Sequence, residues 1–395
     1  MVIVEGNTVI YLKFAFASCL LLVAGILHAQ SPGRLDALLD RLAAQNNPAL
    51  TTGGAQPSWV RNPSSAFPGN THFAAVGHGS TRAGAERMAF GELAAFFGQH
   101  VQADFSSIES YSRALSQGIV TVSSREDIRS SIITAASMDS LIGAQIGGVW
   151  DNGRGSVYAL AFIERQKAAA IYTEMIHVNE AAIASLVSIP NYSRNTFDGF
   201  ARFMLAANIA EINTTFANVV ALSTGSAYSL RNITSPHSLR LQAAEIIRNI
   251  GVAVIVEGDQ NNRLRNAFTH ALNEVNLRTR GTNPLYTLEV SMSMREVVFP
   301  DTNHISMRFT LSAELVNNAT NSVLFPFSFT DRAFHPTHNG AENNAFRLAE
   351  REIHNRFPAE FRQWLNSILP IQTRFRLSKE TWELILFRNL MPFWA

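Results

Sequence analysis

Three stretches in the C-terminal third alternate apolar and polar residues with a period of two. Tyr286, Leu288, Val290, Met292 and Met294 interleave with Thr287, Glu289, Ser291, Ser293 and Arg295. Ile305, Met307, Phe309, Leu311 and Ala313 interleave with Ser306, Arg308, Thr310, Ser312 and Glu314, and Val323, Phe325, Phe327 and Phe329 repeat the rhythm. Successive side chains on a strand point to opposite faces, so this pattern predicts an antiparallel sheet with one buried and one solvated face. The loops at Asp301-Thr302-Asn303 and Asn317–Asn321 suit tight antiparallel connections. Upstream, Val252–Val256 is a continuous apolar strand ending in Glu257-Gly258-Asp259. A helix follows over Arg263–Asn276, with Leu264, Ala267, Phe268, Ala271 and Leu272 facing inward. A helix from Ala341 onwards would cover the buried face, with Pro358 kinking or splitting it.

The first half reads in a similar order. His72–Val76 is a short strand ending at Gly77, and Ser80 or Thr81 can cap the helix after it. The apolar face predicted for that helix is Ala85, Met88, Ala89, Leu93, Phe96, Phe97 and Val101. A strand near 101–109 and a helix near 125–137 come next. Ile142, Ala144, Ile146, Gly148 and Trp150 then alternate along a strand, Asp151-Asn152-Gly153 makes a hairpin turn, and Val157–Ile163 returns. Residues 165–222 carry only helical signals: one helix over Ala168–Val187 stopped by Pro190, and another capped by Ser193 with Phe197, Phe200, Ala201, Met204, Leu205 and Ile209 on its face. Residues 223–237 read as a loop.

The class is therefore α+β: two α/β modules with antiparallel sheets covered by helices, joined by a helical segment. The modules are placed at 57–165 and 238–370, with the helical connector at 166–237. Their shared order of strand, glycine turn, helix and antiparallel strands suggests a structural duplication.

The N-terminus carries an address. Phe14–Leu27 is an uninterrupted apolar run behind Lys13, too short to span a bilayer. With His28-Ala29-Gln30 at its exit it reads as a signal peptide over residues 1–29, cut after Ala29. A short helix on Leu35, Leu38, Leu39 and Leu42 follows, and then a linker to residue 56. The chain's single cysteine, Cys19, lies inside the apolar run. It is a candidate lipid-attachment residue, although Phe16-Ala17-Ser18 departs from the usual lipobox. The last segment, 371–395, places Trp382, Ile385, Leu386 and Leu390 at helical spacing, followed by Phe393 and Trp394. That aromatic, amphipathic tail is a candidate for partner or membrane-surface contact, or for packing on the second module.

Composition narrows the function. Of 395 residues, 32 are Lys or Arg and 31 Asp or Glu, for a net charge of +1. The absence of a basic surplus argues against a nucleic-acid partner. No Gly-x-Ser-x-Gly elbow is present. Gly77-His78-Gly79 sits where a phosphate loop would, but Arg82 stands at the position that needs a third small residue. His335-Pro336-Thr337-His338 with Glu342 invites a metal reading, against which the proline and the lack of a further ligand group weigh. Glu86, Glu92, Glu289 and Glu314 occupy surface-type positions. The expectation is no catalytic, metal or cofactor site, and no enzyme activity.

Pro57-Ser58-Trp59, then Phe73-Ala74-Ala75-Val76-Gly77, then Ala85, Ala89 and Leu93 occur in an order that resembles the Lpp-twenty lipoprotein family, over about residues 57–165. The resemblance implies an exported, often lipid-anchored envelope protein without a catalytic site. The second module, from Val252 through the strand at 286–294, resembles by pattern the small α/β domains of the TolB amino-terminal and penicillin-binding-protein-activator type. Together these imply a periplasmic or outer-membrane-associated protein that works by contact with other envelope proteins. The alternative is a small-ligand-binding or carbohydrate-active protein with a pocket between the modules.

Overall fold

The computed structural model describes residues 48–98, 105–120, 132, 141–230, 235–281, 284–297, 304–368 and 370. In chain order the elements are β1 Leu50–Thr52, β2 His72–Gly79, α1 Arg82–Gly98, α2 Phe105–Ser116, β3 Gln145–Asp151, β4 Val157–Glu164, α3 Arg165–Val187, α4 Asn191–Arg194 and α5 Phe197–Thr224. They continue with α6 Pro236–Asn249, β5 Gly251–Glu257, α7 Arg263–Glu274, β6 Arg278–Thr279, β7 Tyr286–Val297, β8 Ile305–Asn317, β9 Ser322–His335 and α8 His338–Ser367. The fold is α+β, with one four-stranded and one five-stranded mixed sheet. The chain divides into two compact units. The first takes the described residues up to Ile108 with Leu115–Asn179 and Ile212–Leu230. The second takes Glu109–Ala114, Glu180–Glu211 and the described residues after 230.

In the first unit the strand order is β1-β3-β4-β2. β1 runs parallel to β3, and the other pairs are antiparallel. The hairpin between β3 and β4 closes as expected: Asn152 N–H donates to the Ser156 carbonyl at 3.0 Å, and Gly153 takes φ 70°, where a side chain would be strained. α1 packs on β2 and is capped by Thr81, whose Oγ1 accepts from Gly84 N at 3.2 Å. Its buried residues are Ala85, Ala89, Leu93, Ala94 and Phe97. Met88 and Phe96, expected to face inward, are each 50% exposed. The helix meets the sheet along its alanines, and close approach along that line turns the bulkier Met88 and Phe96 to the flank.

Two further expectations fail here for local reasons. The strand predicted near 101–109 is helix from Phe105 onward, because Ser107, Ser110, Tyr111, Ala114 and Leu115 form a buried stripe of helical period. The alternation predicted for 142–150 breaks at a bulge. Ile146 pairs with Ala161 and Gly148 with Leu160, leaving Gly147 as the extra residue, so that Gly148 and Trp150 face opposite to Ile146; Val149 and Trp150, on opposite faces, are both buried. Of the helix expected near 125–137, only Ile132 is among the described residues; it is helical and buried.

Tyr172 anchors α3 in this core. Its ring lies 5.3 Å from Phe216, edge to face, and its hydroxyl accepts from Ile142 N at 3.1 Å. Burial pushes the phenol well above its ordinary value of 10.0, outweighing the Ile142 hydrogen bond that favours the ionised form. For an acid, a raised folded pKa gives no loss of stability below the unfolded value and a loss as pH rises through and above it. The first unit is therefore expected to become less stable above about pH 10. In Tyr172→Phe that slope should flatten, while stability at neutral pH falls by about 1–2 kcal/mol for the unsatisfied Ile142 N–H. Amide exchange across the pH range, comparing the two proteins, measures both effects.

In the second unit Ser193 lies inside the short α4, and Thr196 is the cap of α5, its Oγ1 accepting from Gly199 N at 2.9 Å. The predicted loop 223–237 ends early. Ser235 caps α6 by accepting from Ser238 N at 3.2 Å, and Pro236 takes the first helical position. The sheet order is β6-β5-β7-β8-β9. β5 is parallel to both neighbours, while β7, β8 and β9 form a long antiparallel meander. The two sheets do not repeat each other. In the first unit the strand before the helix, β2, pairs antiparallel with the second strand of the hairpin, whereas β5 pairs parallel with the first. The suggested duplication is therefore not carried by strand order.

α7 and α8 cover one face of this sheet. Phe268 from α7 and Phe357 and Phe361 from α8 interlock with Phe325 and Phe327 of β9 at centroid distances of 5.1–6.3 Å. α8 runs unbroken through a buried Pro358; the lost backbone bond is outweighed by the apolar face that Ile353, Phe357, Phe361 and Leu365 bury. Val323, expected inward, is 50% exposed. Leu315 pairs with Phe325 and Val316 with Val323, so Leu324 is the extra residue of a bulge that reverses the facing of the strand's first residues.

Candidate functional site

The face of the five-stranded sheet away from α7 and α8 is where the polar half of the alternation collects. Register sets its pattern. Ile255, Glu289, Glu314 and Pro326 lie side by side across β5, β7, β8 and β9. The next row on this face is Glu257, Ser291, Ser312 and Ser328. Then come Ser293, Thr310 and Thr330, and after them Arg295, Arg308 and Arg332. Glu257, Glu289, Glu314, Arg295, Arg308 and Arg332 are all exposed. The Thr310 and Thr330 hydroxyls share a hydrogen bond of 2.9 Å. The Glu289 and Arg295 positions are separated by six residues, about 20 Å along a strand.

This arrangement costs the fold stability. Glu289 stands directly opposite Glu314, and Arg308 directly opposite both Arg295 and Arg332. Like charges facing each other across strands are destabilising by a few tenths of a kcal/mol or more. Glu289, Glu314, Arg295 and Arg308 make no side-chain ion pair with any described residue. The result is a sheet face with acid at one end, arginine at the other, and short hydroxyl side chains between. Such a face can hold a charged macromolecular surface in one orientation.

The first unit contains an open cleft of about 790 Å³ lined by Asn70, Thr71, His72, Glu164, Arg165 and Ser223 among others. Arg165, His72 and Glu164 in this lining are committed to contacts within the fold. Arg165 donates to the Gly69 and Leu222 carbonyls at 2.9 and 3.0 Å and lies 3.7 Å over the Phe73 ring. His72 Nδ1 meets the Thr71 hydroxyl at 2.8 Å, and its ring packs by Phe67 and Phe162. Glu164 pairs with Lys167 at 2.8 Å. Glu164 is the cleft's one carboxylate, so this cleft lacks the pair that glycoside cleavage needs.

The residues singled out from sequence fall as follows. Gly77 and Gly79 lie within β2 rather than in a phosphate loop. A Cβ on Gly77 would come 2.0 Å from Ala89 N and 2.5 Å from the Ala85 carbonyl, so its function is to let α1 approach the strand. His335, the last residue of β9, accepts at Nδ1 from Thr337 N at 3.1 Å, and Thr337 caps α8. His338 lies 3.3 Å from Glu296 and 3.2 Å from Glu342. Among the described residues no group of three or more His, Cys, Asp or Glu side chains could hold a metal ion. Glu86 is paired with Arg82 at 2.7 Å. The signal segment with Cys19, and the tail with Trp382, Ile385, Leu386, Leu390, Phe393 and Trp394, lie outside the described residues. Sequence reading found the polar positions of β7 and β8 but missed the rows, which exist only once the strands are in register.

The chain matches no protein-family model and no curated protein. Among solved structures, a minor lipoprotein from Acinetobacter baumannii aligns at 13% identity over 30% of this chain and 92% of its own, with a TM-score of 0.23. A secreted protein from Helicobacter pylori aligns at 12% identity over 72% of this chain and 96% of its own, with a TM-score of 0.39.

Proposed function

We propose that this chain is an exported cell-envelope protein of the Lpp-twenty lipoprotein type that performs no catalysis and works by contact with other proteins in a periplasmic or outer-membrane assembly. The observation that carries the reading is the sorted solvent face of β5, β7, β8 and β9. Charges are arranged there at a cost to the fold, and a partner surface repays that cost. The apolar run Phe14–Leu27 behind Lys13 supports export. The Pro57-Ser58-Trp59 and Ala75-Val76-Gly77 motifs support the family assignment.

A photoreactive residue in place of Ser312, in the middle of the face, tests this in intact cells. The expected result is a discrete crosslinked adduct. The same residue at Arg351, on the exposed side of α8, should give none. Equal labelling from both positions, or none from Ser312, rejects the face as a contact surface.

A further inference from the structure

We propose that the partner on this face is a second copy of the chain, docked face to face about a two-fold axis that runs across the strands. The proposal rests on the reading of the face as a contact surface and names its occupant. Glu289 and Arg295 lie three residues to either side of Met292 on β7. Arg308 and Glu314 lie three residues to either side of Leu311 on β8. Met292 and Leu311 are themselves register partners, and Leu311 pairs in turn with Phe329 of β9. One straight line through these three positions therefore relates the acid row to the arginine row on both strands.

A half-turn about an axis parallel to that line and about 5 Å above the polar face inverts the sheet and reverses the strands while leaving their lateral order unchanged. β7 then faces β7, and β8 faces β8. Arg295 of each copy meets Glu289 of the other, and Arg308 meets Glu314, each pair made twice by symmetry. Arg332 faces Pro326 and adds no pair. The residues flanking the axis are Ser291, Ser312 and Ser328 on one side and Ser293, Thr310 and Thr330 on the other. Their short side chains permit the spacing of about 10 Å at which sheets stack, and the longer arginines and glutamates reach across at the two ends. The same pairing removes the like-charge opposition within each copy. Three strands about 4.8 Å apart and eight residues of about 3.4 Å give a face of roughly 400 Å² per copy. The total is small for a specific interface, so the dimer is expected only at micromolar or higher concentration and to weaken with salt.

Sedimentation of the chain isolated from its host cell, across the micromolar range at low and high salt, tests this with two reversed faces. Arg295→Glu with Arg308→Glu makes the four pairing positions all acidic, and Glu289→Arg with Glu314→Arg makes them all basic. The wild type should self-associate at low salt. Each variant alone should bind itself at least about tenfold more weakly, and an equimolar mixture of the two should regain the dimer. Recovery in the mixture also shows that both variants are folded. A wild type that stays monomeric throughout, variants that dimerise like the wild type, or a mixture that stays monomeric overturns the proposal. The Ser312 crosslink separates the two levels of the account. An adduct of twice the chain mass supports the second copy. An adduct with a different protein sinks this proposal and leaves the contact reading standing, and no adduct sinks both.

Discussion

Gly77→Ala is expected to destabilise the first unit by about 3 kcal/mol, the overpacking limit, because the obstacle is backbone and cannot rotate away. An ideal Cβ at Gly77 lies 2.0 Å from Ala89 N, 2.5 Å from the Ala85 carbonyl and 2.5 Å from the Met88 carbonyl carbon. α1 must lift off β2, and the burial of Ala85, Ala89 and Leu93 is lost with it. Alanine in place of a strand glycine would otherwise gain roughly 0.5–1 kcal/mol through backbone entropy, so sterics must win by a wide margin for the sign to come out destabilising. The internal control is Gly91→Ala on the exposed side of the same helix, where a new Cβ meets nothing within 4 Å. That change should stabilise by about 0.5–1 kcal/mol. Amide-exchange protection of β2 and α1 in the three proteins measures both. A Gly77→Ala chain as stable as the wild type would show that helix and strand do not pack this closely.

Phe357→Ala should cost the second unit about 3–5 kcal/mol, the range for removing a fully buried aromatic side chain. Phe357 is at the centre of the cluster, with ring centroids 5.2 Å from Phe268, 5.3 Å from Phe327, 5.4 Å from Phe361 and 5.8 Å from Phe325. Truncation leaves a cavity bounded by rings on two helices and one strand, which cannot collapse without moving a secondary-structure element. Phe357→Leu keeps most of the volume and should cost much less, about 1–2 kcal/mol. Arg351→Ala, on the solvent side of α8, should change stability by no more than about 0.5 kcal/mol. Denaturant melts followed by the second unit's exchange protection distinguish the three. Equal effects of Ala and Leu at position 357 would contradict a packed cluster.

The second sheet was legible because its alternation is strict. One face of β7 and β8 is apolar and the other polar from Tyr286 to Arg295 and from Ile305 to Leu315, so period alone fixes which of these residues face α7 and α8. Errors arose where one residue breaks the count. Gly147 and Leu324 are bulges, and each reverses the facing of the residues beyond it, which no periodic reading anticipates. α2 was mistaken for a strand because two of its five buried stripe positions are serines, which carry no apolar signal. α6 was missed despite a Ser-Pro start, because its apolar face is limited to Leu239, Ala243, Ile246 and Ile247. The candidate site was half legible. Glu289, Arg295, Arg308 and Glu314 were identifiable as solvent positions, but their sorting into an acid row and an arginine row depends on the pairing of Met292 with Leu311, which connects strands across a loop. Sequence spacing contains no information on that register; turn geometry and packing supply it.

The central claim is that sorted charge makes this sheet face a contact surface. The most direct measurement keeps the photoreactive residue at Ser312 and neutralises the four charges together, as Glu289→Gln, Arg295→Gln, Arg308→Gln and Glu314→Gln. All four side chains are exposed, so the fold should be retained. The account predicts that the adduct seen from Ser312 in intact cells falls by at least about tenfold. An adduct of undiminished yield from the fourfold variant would contradict it.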